Sequence, residues 1–311
     1  MRIAVIGTGG VGGYFGAKLS EAGEDVAFVA RNAHLQAMQR RGLTVYSPLG
    51  DIHLNDVKCT ADTREIGEVD IVIIAVKLWA TDEAIQAAKP LIGQNTGIIS
   101  LQNGIAAEEK LIETYSSKHA MGGVANIAAL IEAPGVIRHN GNMASLIFGE
   151  LDDTRSKRTQ RLLKSCEAAN IKAEIPTDIN RAIWEKYIRL VTMSAMTTLC
   201  RMPIGPIRED ANARNLISQI LSEIINVATA RGMKFSDDVL SEQLSIIDSY
   251  PPSMVASMCG DLRRGYRLEV PWFSGTVAKL GKELNIPTPA NEFVYTALKL
   301  YENGRPEDAQ I

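Results

Sequence analysis

The N-terminal stretch Arg2-Ile3-Ala4-Val5-Ile6-Gly7-Thr8-Gly9-Gly10-Val11-Gly12 decides the fold. A short β-branched run leads directly into a GxGxxG match, and a helical pattern over residues 11–22 follows. The glycine pattern alone has low specificity. Placed between a strand and a helix, it reads as the phosphate-binding turn of a dinucleotide fold. Gly7 allows the tight turn, Gly9 lets a pyrophosphate approach the backbone, and Gly12 permits close helix–strand packing. The helix start offers unpaired N–H groups and the positive end of its dipole. Gly7, Thr8, Gly9, Gly10, Val11 and Gly12 are therefore the predicted cofactor-binding turn.

Working outward, residues 25–30, 70–76 and 96–101 read as strands, and residues 34–41 and 81–88 as helices. Strands separated by helical stretches predict βαβ units and a parallel sheet. Between residues 120 and 148, Pro134-Gly135 and Asn140-Gly141 punctuate short strands, an antiparallel or mixed extension of that sheet. After Ile175-Pro176-Thr177 the pattern becomes helical, over residues 181–199, 211–231, 237–249, 253–264, 270–284 and 291–302. The expected fold class is α/β, an N-terminal Rossmann-type doubly wound sheet (residues 1–177) followed by an all-helical C-terminal domain (residues 178–311). A ligand is expected at the carboxyl ends of the strands, in the cleft between the two.

Composition excludes several function classes. Of 311 residues, 46% are hydrophobic and 22% charged, and 33 Lys and Arg against 36 Asp and Glu leave a net charge of −3. So balanced a chain does not predict nucleic-acid binding. The longest apolar run, residues 71–76, falls far short of the roughly 18 residues of a membrane span. A signal peptide is not expected, because the N-terminus enters a strand and then the glycine cluster. Cys59, Cys166, Cys200 and Cys259 are far apart, and the four histidines are equally scattered, so no metal site and a reducing, cytoplasmic setting are expected.

The tip of the second strand chooses the cofactor. An NAD enzyme usually carries a carboxylate there to grip the ribose hydroxyls. Here Phe28-Val29-Ala30 ends in Arg31-Asn32, and Glu24 and Asp25 lie at the wrong end of the strand. An arginine can form paired bonds to a 2′-phosphate, so NADP is predicted.

Further ordered motifs carry a resemblance. They are Val76-Lys77, Leu101-Gln102-Asn103-Gly104, Trp184-Glu185-Lys186, Ser257-Met258-x-x-Asp261-x-x-x-Gly265-x-x-x-Glu269 and Ile286-Pro287-Thr288-Pro289-x-Asn291. With these the chain resembles the ketopantoate reductase (2-dehydropantoate 2-reductase) family over nearly its whole length. The resemblance implies hydride transfer from NADPH to a small 2-keto acid, ketopantoate to pantoate in pantothenate synthesis being the first expectation. It implies that Lys186 is the proton donor and that Glu269 holds its ammonium. It implies cofactor contacts for Lys77, for Asn103 (which also touches substrate), for Glu269 and for the backbone of Ala129, and substrate contacts for Lys186, Ser194 and Ser257. Association of related folds suggests a homodimer through the helical half. The pair Arg263-Arg264 reads as solvated surface.

The chain also departs from the family. Asn residues commonly stand four and eight positions after the catalytic lysine, on one helix face. Leu190 and Ser194 stand there instead, and Leu268-Glu269-Val270-Pro271 replaces the usual Thr-Glu-Ile-Asp. Leucine cannot bond a substrate hydroxyl and Ser194 reaches less far, so discrimination for a hydroxylated substrate weakens. A reductase of a more apolar 2-keto acid is the alternative, and a noncatalytic NADP(H) sensor is the reading from a different class.

Overall fold

Ile3, Ala4 and Val5 are each completely buried, although strand side chains alternate between faces. Both faces of the sheet must therefore be covered. Ile3 and Val5 enter one core with Phe15 and Phe28, while Ala4 and Ile6 enter a second with Val72 and Ile74. This is the physical reason the first strand reads as a continuous apolar run.

The computed structural model describes residues 1–307 and 309. It forms two compact units, Met1–Ile183 and Trp184–Ile311. The N-terminal unit runs β1 (Arg2–Ile6), α1 (Gly10–Glu21), β2 (Asp25–Val29), α2 (Asn32–Arg41), β3 (Leu43–Tyr46), β4 (Ile52–Leu54) and β5 (Lys58–Thr60). It continues with β6 (Val69–Ile74), α3 (Thr81–Ala87), β7 (Ile92–Ser100), α4 (Ala107–Tyr115), β8 (Ala120–Ala133), β9 (Val136–Glu150), α5 (Lys157–Ala168) and β10 (Lys172–Glu174). Six parallel strands stand in the order β5-β2-β1-β6-β7-β8. The order in which strands are added reverses between β1 and β6, the switch point of a doubly wound sheet. Beyond β8 the sheet becomes mixed. β9 is antiparallel to β8, β3 and β10 run parallel to β9, and β4 is antiparallel to β3.

The C-terminal unit is helical. The long helix α6 (Ile179–Cys200) contains the division between the units. It is followed by α7 (Ile204–Glu209), α8 (Ala211–Ala230), α9 (Val239–Ser249), α10 (Ser257–Arg263), α11 (Ser274–Leu284) and α12 (Pro289–Lys299). Buried Glu223 of α8 accepts from the backbone N–H groups of Ala290 and Asn291 at 2.8 and 2.9 Å. A carboxylate at that position satisfies the orphan donors of the α12 start. No helix among the described residues is long and apolar enough to cross a membrane.

The doubly wound sheet with a helical C-terminal region agrees with the expected fold class, but details differ. The segment 120–148 is not a set of short strands: β8 and β9 are 14 and 15 residues long and turn once, at Pro134-Gly135. Asn140-Gly141 lies inside β9, where Ala129 pairs with His139 and Ile127 with Ala144. Residues 140–143 are thus extruded as a bulge, closed by a 3.1 Å contact from His139 Nε2 to the Met143 carbonyl. The expected helix over 253–264 shrinks to α10, because Met254 N–H turns back to the Pro251 carbonyl. The expected helix over 270–284 breaks into a 3₁₀ turn (Val270–Trp272) and α11.

His139 and His34 are both held neutral. Ser47 Oγ meets His139 Nδ1 at 2.9 Å, and His34 Nδ1 accepts the Gly135 N–H at 3.0 Å. Burial pushes both imidazoles below their ordinary pKa, opposed by the carbonyl of Met143 for His139 and of Thr8 for His34. The unfolded chain therefore takes up these protons first. Their stabilisation is complete above about pH 6.5 and is lost as pH falls through that value toward the depressed folded pKa. Urea midpoints are expected to fall between pH 7.5 and 5.5, with a shallower fall in His139→Gln. Parallel pH profiles for the two proteins would contradict this.

Candidate functional site

At the carboxyl end of β1, Gly7 has φ of +96°, which disfavours any residue with a Cβ. A Cβ there would also lie 2.9 Å from the carbonyl of Ala75. One on Gly12 would strike the Gly7 carbonyl oxygen and come within 2.9 Å of Val5. Gly9 is different: a Cβ would meet nothing within 4 Å. The N–H groups of Gly7 and Thr8 both turn to the Val29 carbonyl at 3.2 Å, and the buried Thr8 hydroxyl joins them at 3.1 Å. Thr8 therefore fastens the turn to the end of β2.

The open side belongs to α1. Its first internal bond runs from Gly13 N–H to the Gly9 carbonyl, 2.7 Å, so the N–H groups of Gly10, Val11 and Gly12 precede the internal ladder. Gly9 caps without a side chain, and the first turn of α1 carries no acidic residue. An open, unneutralised helix start with no Cβ in the way fits a dinucleotide's pyrophosphate. Gly10 serves a separate purpose. A Cβ on it would run into the backbone of Ala129 on β8, so the missing side chain is what lets α1 pack on that strand.

Neighbouring strand ends bring the other predicted residues to the same edge of the sheet. Ile6, Val29, Ile74 and Ser100 are linked in register across β2, β1, β6 and β7. Arg31 follows β2, Lys77 follows β6 and Asn103 follows β7. Arg31 is exposed and pairs with Glu83 at 2.8 Å. Lys77 begins the 3₁₀ turn Leu78–Ala80, its Nζ 5.8 Å from the centre of the Trp79 ring. Gln102, buried, ties two of these loops together. Its amide donates to the Val76 carbonyl at 3.0 Å and to Thr81 Oγ1 at 2.8 Å, and its oxygen accepts from Ser100 Oγ at 3.2 Å. It thereby ties the backbone just before Lys77 and the Thr81 side chain after it to the residue that precedes Asn103.

In the C-terminal unit, Lys186 is half-buried on α6 and Glu269 is buried immediately before the Val270–Trp272 turn. The residue that joins their segments is Tyr187. Its fully buried hydroxyl lies 3.0 Å from the Trp272 carbonyl and 2.9 Å from that of Phe273, and its ring meets Trp184 edge-on at 5.7 Å. Burial raises its pKa, a Thr276 hydrogen bond opposing, so it stays a neutral donor. The Glu269 carbonyl accepts from the N–H groups of Trp272 and Phe273 at 3.0 and 3.2 Å, which closes the same turn.

Leu190 and Ser194 repeat at four-residue intervals from Lys186 on one face of α6. Leu190 is half-buried; Ser194 is buried, its hydroxyl without a partner among the described residues. Ala256 N–H donates to Thr197 Oγ1 of α6 at 3.2 Å, which seats the start of α10, and Ser257 is exposed as its first residue. The arginines 263 and 264 are exposed but engaged: Arg263 donates to the Arg201 carbonyl at 2.9 Å and Arg264 to Asp261 at 2.8 Å.

The N-terminal unit thus gathers the glycine turn, Arg31, Lys77, Asn103 and Ala129. The C-terminal unit gathers Lys186 and the Glu269 turn. Sequence reasoning missed the clamping roles of Gln102 and Tyr187 and the contact of Gly10 with Ala129. Tyr187 had a usable signal, a large polar aromatic beside Lys186.

Known proteins match the chain over nearly its whole length. The family model for ketopantoate reductase PanE/ApbA matches residues 3–153, and its C-terminal model matches residues 178–302. The chain is 30% identical to an uncharacterised oxidoreductase, YkpB, of Bacillus subtilis, covering 97% of this chain and 99% of that protein. It is 29% identical to a 2-dehydropantoate 2-reductase of Pyrococcus abyssi, covering 96% and 97%. The crystal structure of 2-dehydropantoate 2-reductase from Geobacter metallireducens GS-15 superposes with a TM-score of 0.89 at 30% identity, covering 96% of this chain and 99% of that one.

Two glycine substitutions should separate packing from binding. Gly10→Ala forces α1 away from Ala129 and should destabilise the chain by roughly 1–3 kcal/mol, read as a lowered melting temperature. Gly9→Ala has room in the fold and should leave melting unchanged while weakening dinucleotide binding in a fluorescence titration. Equal loss of melting temperature in both variants would contradict this assignment.

Proposed function

The chain belongs to the ketopantoate reductase family, and we propose that it is an NADPH-dependent reductase of a 2-keto acid, with 2-dehydropantoate as the first substrate to test. The observation that carries the reading is the Tyr187 clamp. It holds the backbone beside Lys186 to the turn that Glu269 begins. A buried hydrogen bond spent on that register suits a site in which an ammonium and a carboxylate must keep their spacing.

The proposed division of labour follows the two units. The turn from Gly7 to Gly12, with Thr8 fastening it, holds the pyrophosphate. Arg31 takes the 2′-phosphate, Lys77 and the Ala129 backbone add contacts, and Asn103 orients the nicotinamide end. The reduced nicotinamide, when bound, supplies the hydride for the C2 carbonyl. Reduction leaves negative charge on the carbonyl oxygen, and Lys186 donates the proton that makes it a hydroxyl. The amine then regains a proton from solvent. Glu269 holds the ammonium, and Ser257 and Ser194 contact the substrate. A functional boundary at residue 177, a homodimer through the helical half and a reducing, cytoplasmic setting belong to the same proposal.

Leu190 favours a second reading. A half-buried leucine one helical turn from Lys186 offers the substrate an apolar wall, and the shorter Ser194 stands one turn further. A 2-keto acid without a hydroxyl on its side chain suits that wall better than 2-dehydropantoate does.

NADPH oxidation at 340 nm over a panel of 2-keto acids tests both readings. Turnover with at least one acid is expected. Lys186→Ala should lose about 10²–10⁴-fold in kcat while its NADPH affinity changes less than about twofold. No oxidation with any acid, or full activity in the variant, would overturn the proposal. A higher kcat/KM for a hydroxyl-free acid selects the second reading.

A further inference from the structure

A pocket of about 480 Å³ lies at the carboxyl edge of the sheet, and its lining includes Arg31, Asp62, Arg64 and Glu83. Strand pairing explains why these residues meet. β2 and β5 are parallel neighbours with Val29 opposite Thr60, and the Ala30 N–H extends the ladder to the Thr60 carbonyl at 3.1 Å. Arg31 leaves the end of β2, while Asp62 and Arg64 leave the end of β5. Glu83 comes from the first turn of α3.

Each arginine in the pocket is matched by one carboxylate. Arg31 forms a two-pronged pair with Glu83, Nη1 to Oε2 at 3.0 Å and Nη2 to Oε1 at 2.8 Å. Arg64 forms another with Asp62, Nε to Oδ1 at 2.9 Å and Nη2 to Oδ2 at 2.6 Å. The four groups sum to zero charge. A phosphate monoester entering among them gains two guanidinium forks, but only where a carboxylate gives up its fork.

From this arrangement we infer that Arg64 is a second ligand of the cofactor's 2′-phosphate and that Glu83 competes with that phosphate for Arg31. The inference rests on the NADP reading above and extends it to residues that reading does not use. The two carboxylates are suited to such an exchange. Glu83 has a side-chain exposure of 61%, so it can swing into water, and exposed ion pairs of this kind are weak. Asp62 also accepts the Arg64 backbone N–H at 3.0 Å, so it keeps the turn Thr63–Glu65 capped when the guanidinium leaves. A 2′-hydroxyl offers no charge to displace either carboxylate, so NAD leaves both pairs intact. The exchange therefore acts on the difference between the two cofactors.

Calorimetric titration of NADP⁺ and NAD⁺ into wild type, Glu83→Gln, Arg64→Gln and Arg64→Lys tests it, with thermal melts confirming that each variant is folded. Glu83→Gln is expected to bind NADP⁺ about three- to tenfold more tightly, because Arg31 is released and a negative charge removed. Arg64→Gln is expected to bind NADP⁺ about tenfold more weakly, with Arg64→Lys in between, since a lysine keeps the charge but not the fork. NAD⁺ affinity should move less than about twofold in all three variants, as expected for a term confined to the phosphate. Unchanged or weaker NADP⁺ binding in Glu83→Gln, unchanged binding in Arg64→Gln, or NAD⁺ losses as large as those of NADP⁺ would overturn the inference. A wild type that prefers NAD⁺ would instead remove the NADP reading beneath it, whereas a wild type that prefers NADP⁺ with insensitive variants removes the exchange alone.

Discussion

Close backbone approach at the first turn is the constraint on which the N-terminal unit depends. Gly7 lies against Ala75, Gly12 against the Gly7 carbonyl and Val5, and Gly10 against Ala129. None of the three has space for a methyl group. Their missing side chains let β1, β6, α1 and β8 converge around one point, and Gly9 leaves that point open on one side. The open start of α1 is a consequence of this packing, because the same convergence presents it without an acidic residue or a capping side chain.

Two neutral clamps carry that order outward. Gln102 spans the loops that follow β6 and β7, and Tyr187 spans α6 and the Trp272–Phe273 carbonyls. Both are buried, and both bond chiefly to backbone or hydroxyl groups rather than to charges. A neutral clamp fixes geometry without adding a formal charge beside residues whose own charges matter. The ion pairs of the Arg31 pocket are the opposite case. They are exposed, and exposed ion pairs of this kind contribute little to maintenance of the fold.

The architecture was legible in sequence where periodicity was long or complete. β1 and β6 are continuous apolar runs because both faces are buried, and the helical second half showed its own period. The strands β3, β4, β5 and β10, of three or four residues each, span too little sequence for alternation to register. The helix α5 was hidden because half of its buried face is Thr159 and Ser165. Asn140-Gly141 gave a turn signal and produced a bulge, since the same dipeptide conformations serve both. For the candidate site, the glycine turn and Arg31 were readable from local pattern, while Lys186, Glu269 and Ala129 needed the family resemblance. The roles of Gln102 and Arg64 were beyond either route, and Tyr187 offered only the signal of a polar aromatic beside Lys186. Each takes its place from contacts distant in sequence, and Arg64 depends on a three-residue strand that no local pattern announces.

The central claim is that one lysine ammonium protonates the oxygen of a keto acid reduced beside a dinucleotide held on the glycine turn. A crystal structure with NADP⁺ and the 2-hydroxy acid product of the best substrate measures this most directly. The account predicts the pyrophosphate at the N–H groups opening α1 and Lys186 Nζ within about 3.2 Å of the product hydroxyl. A product hydroxyl bonded to another donor, with the Lys186 ammonium turned to solvent, would contradict it.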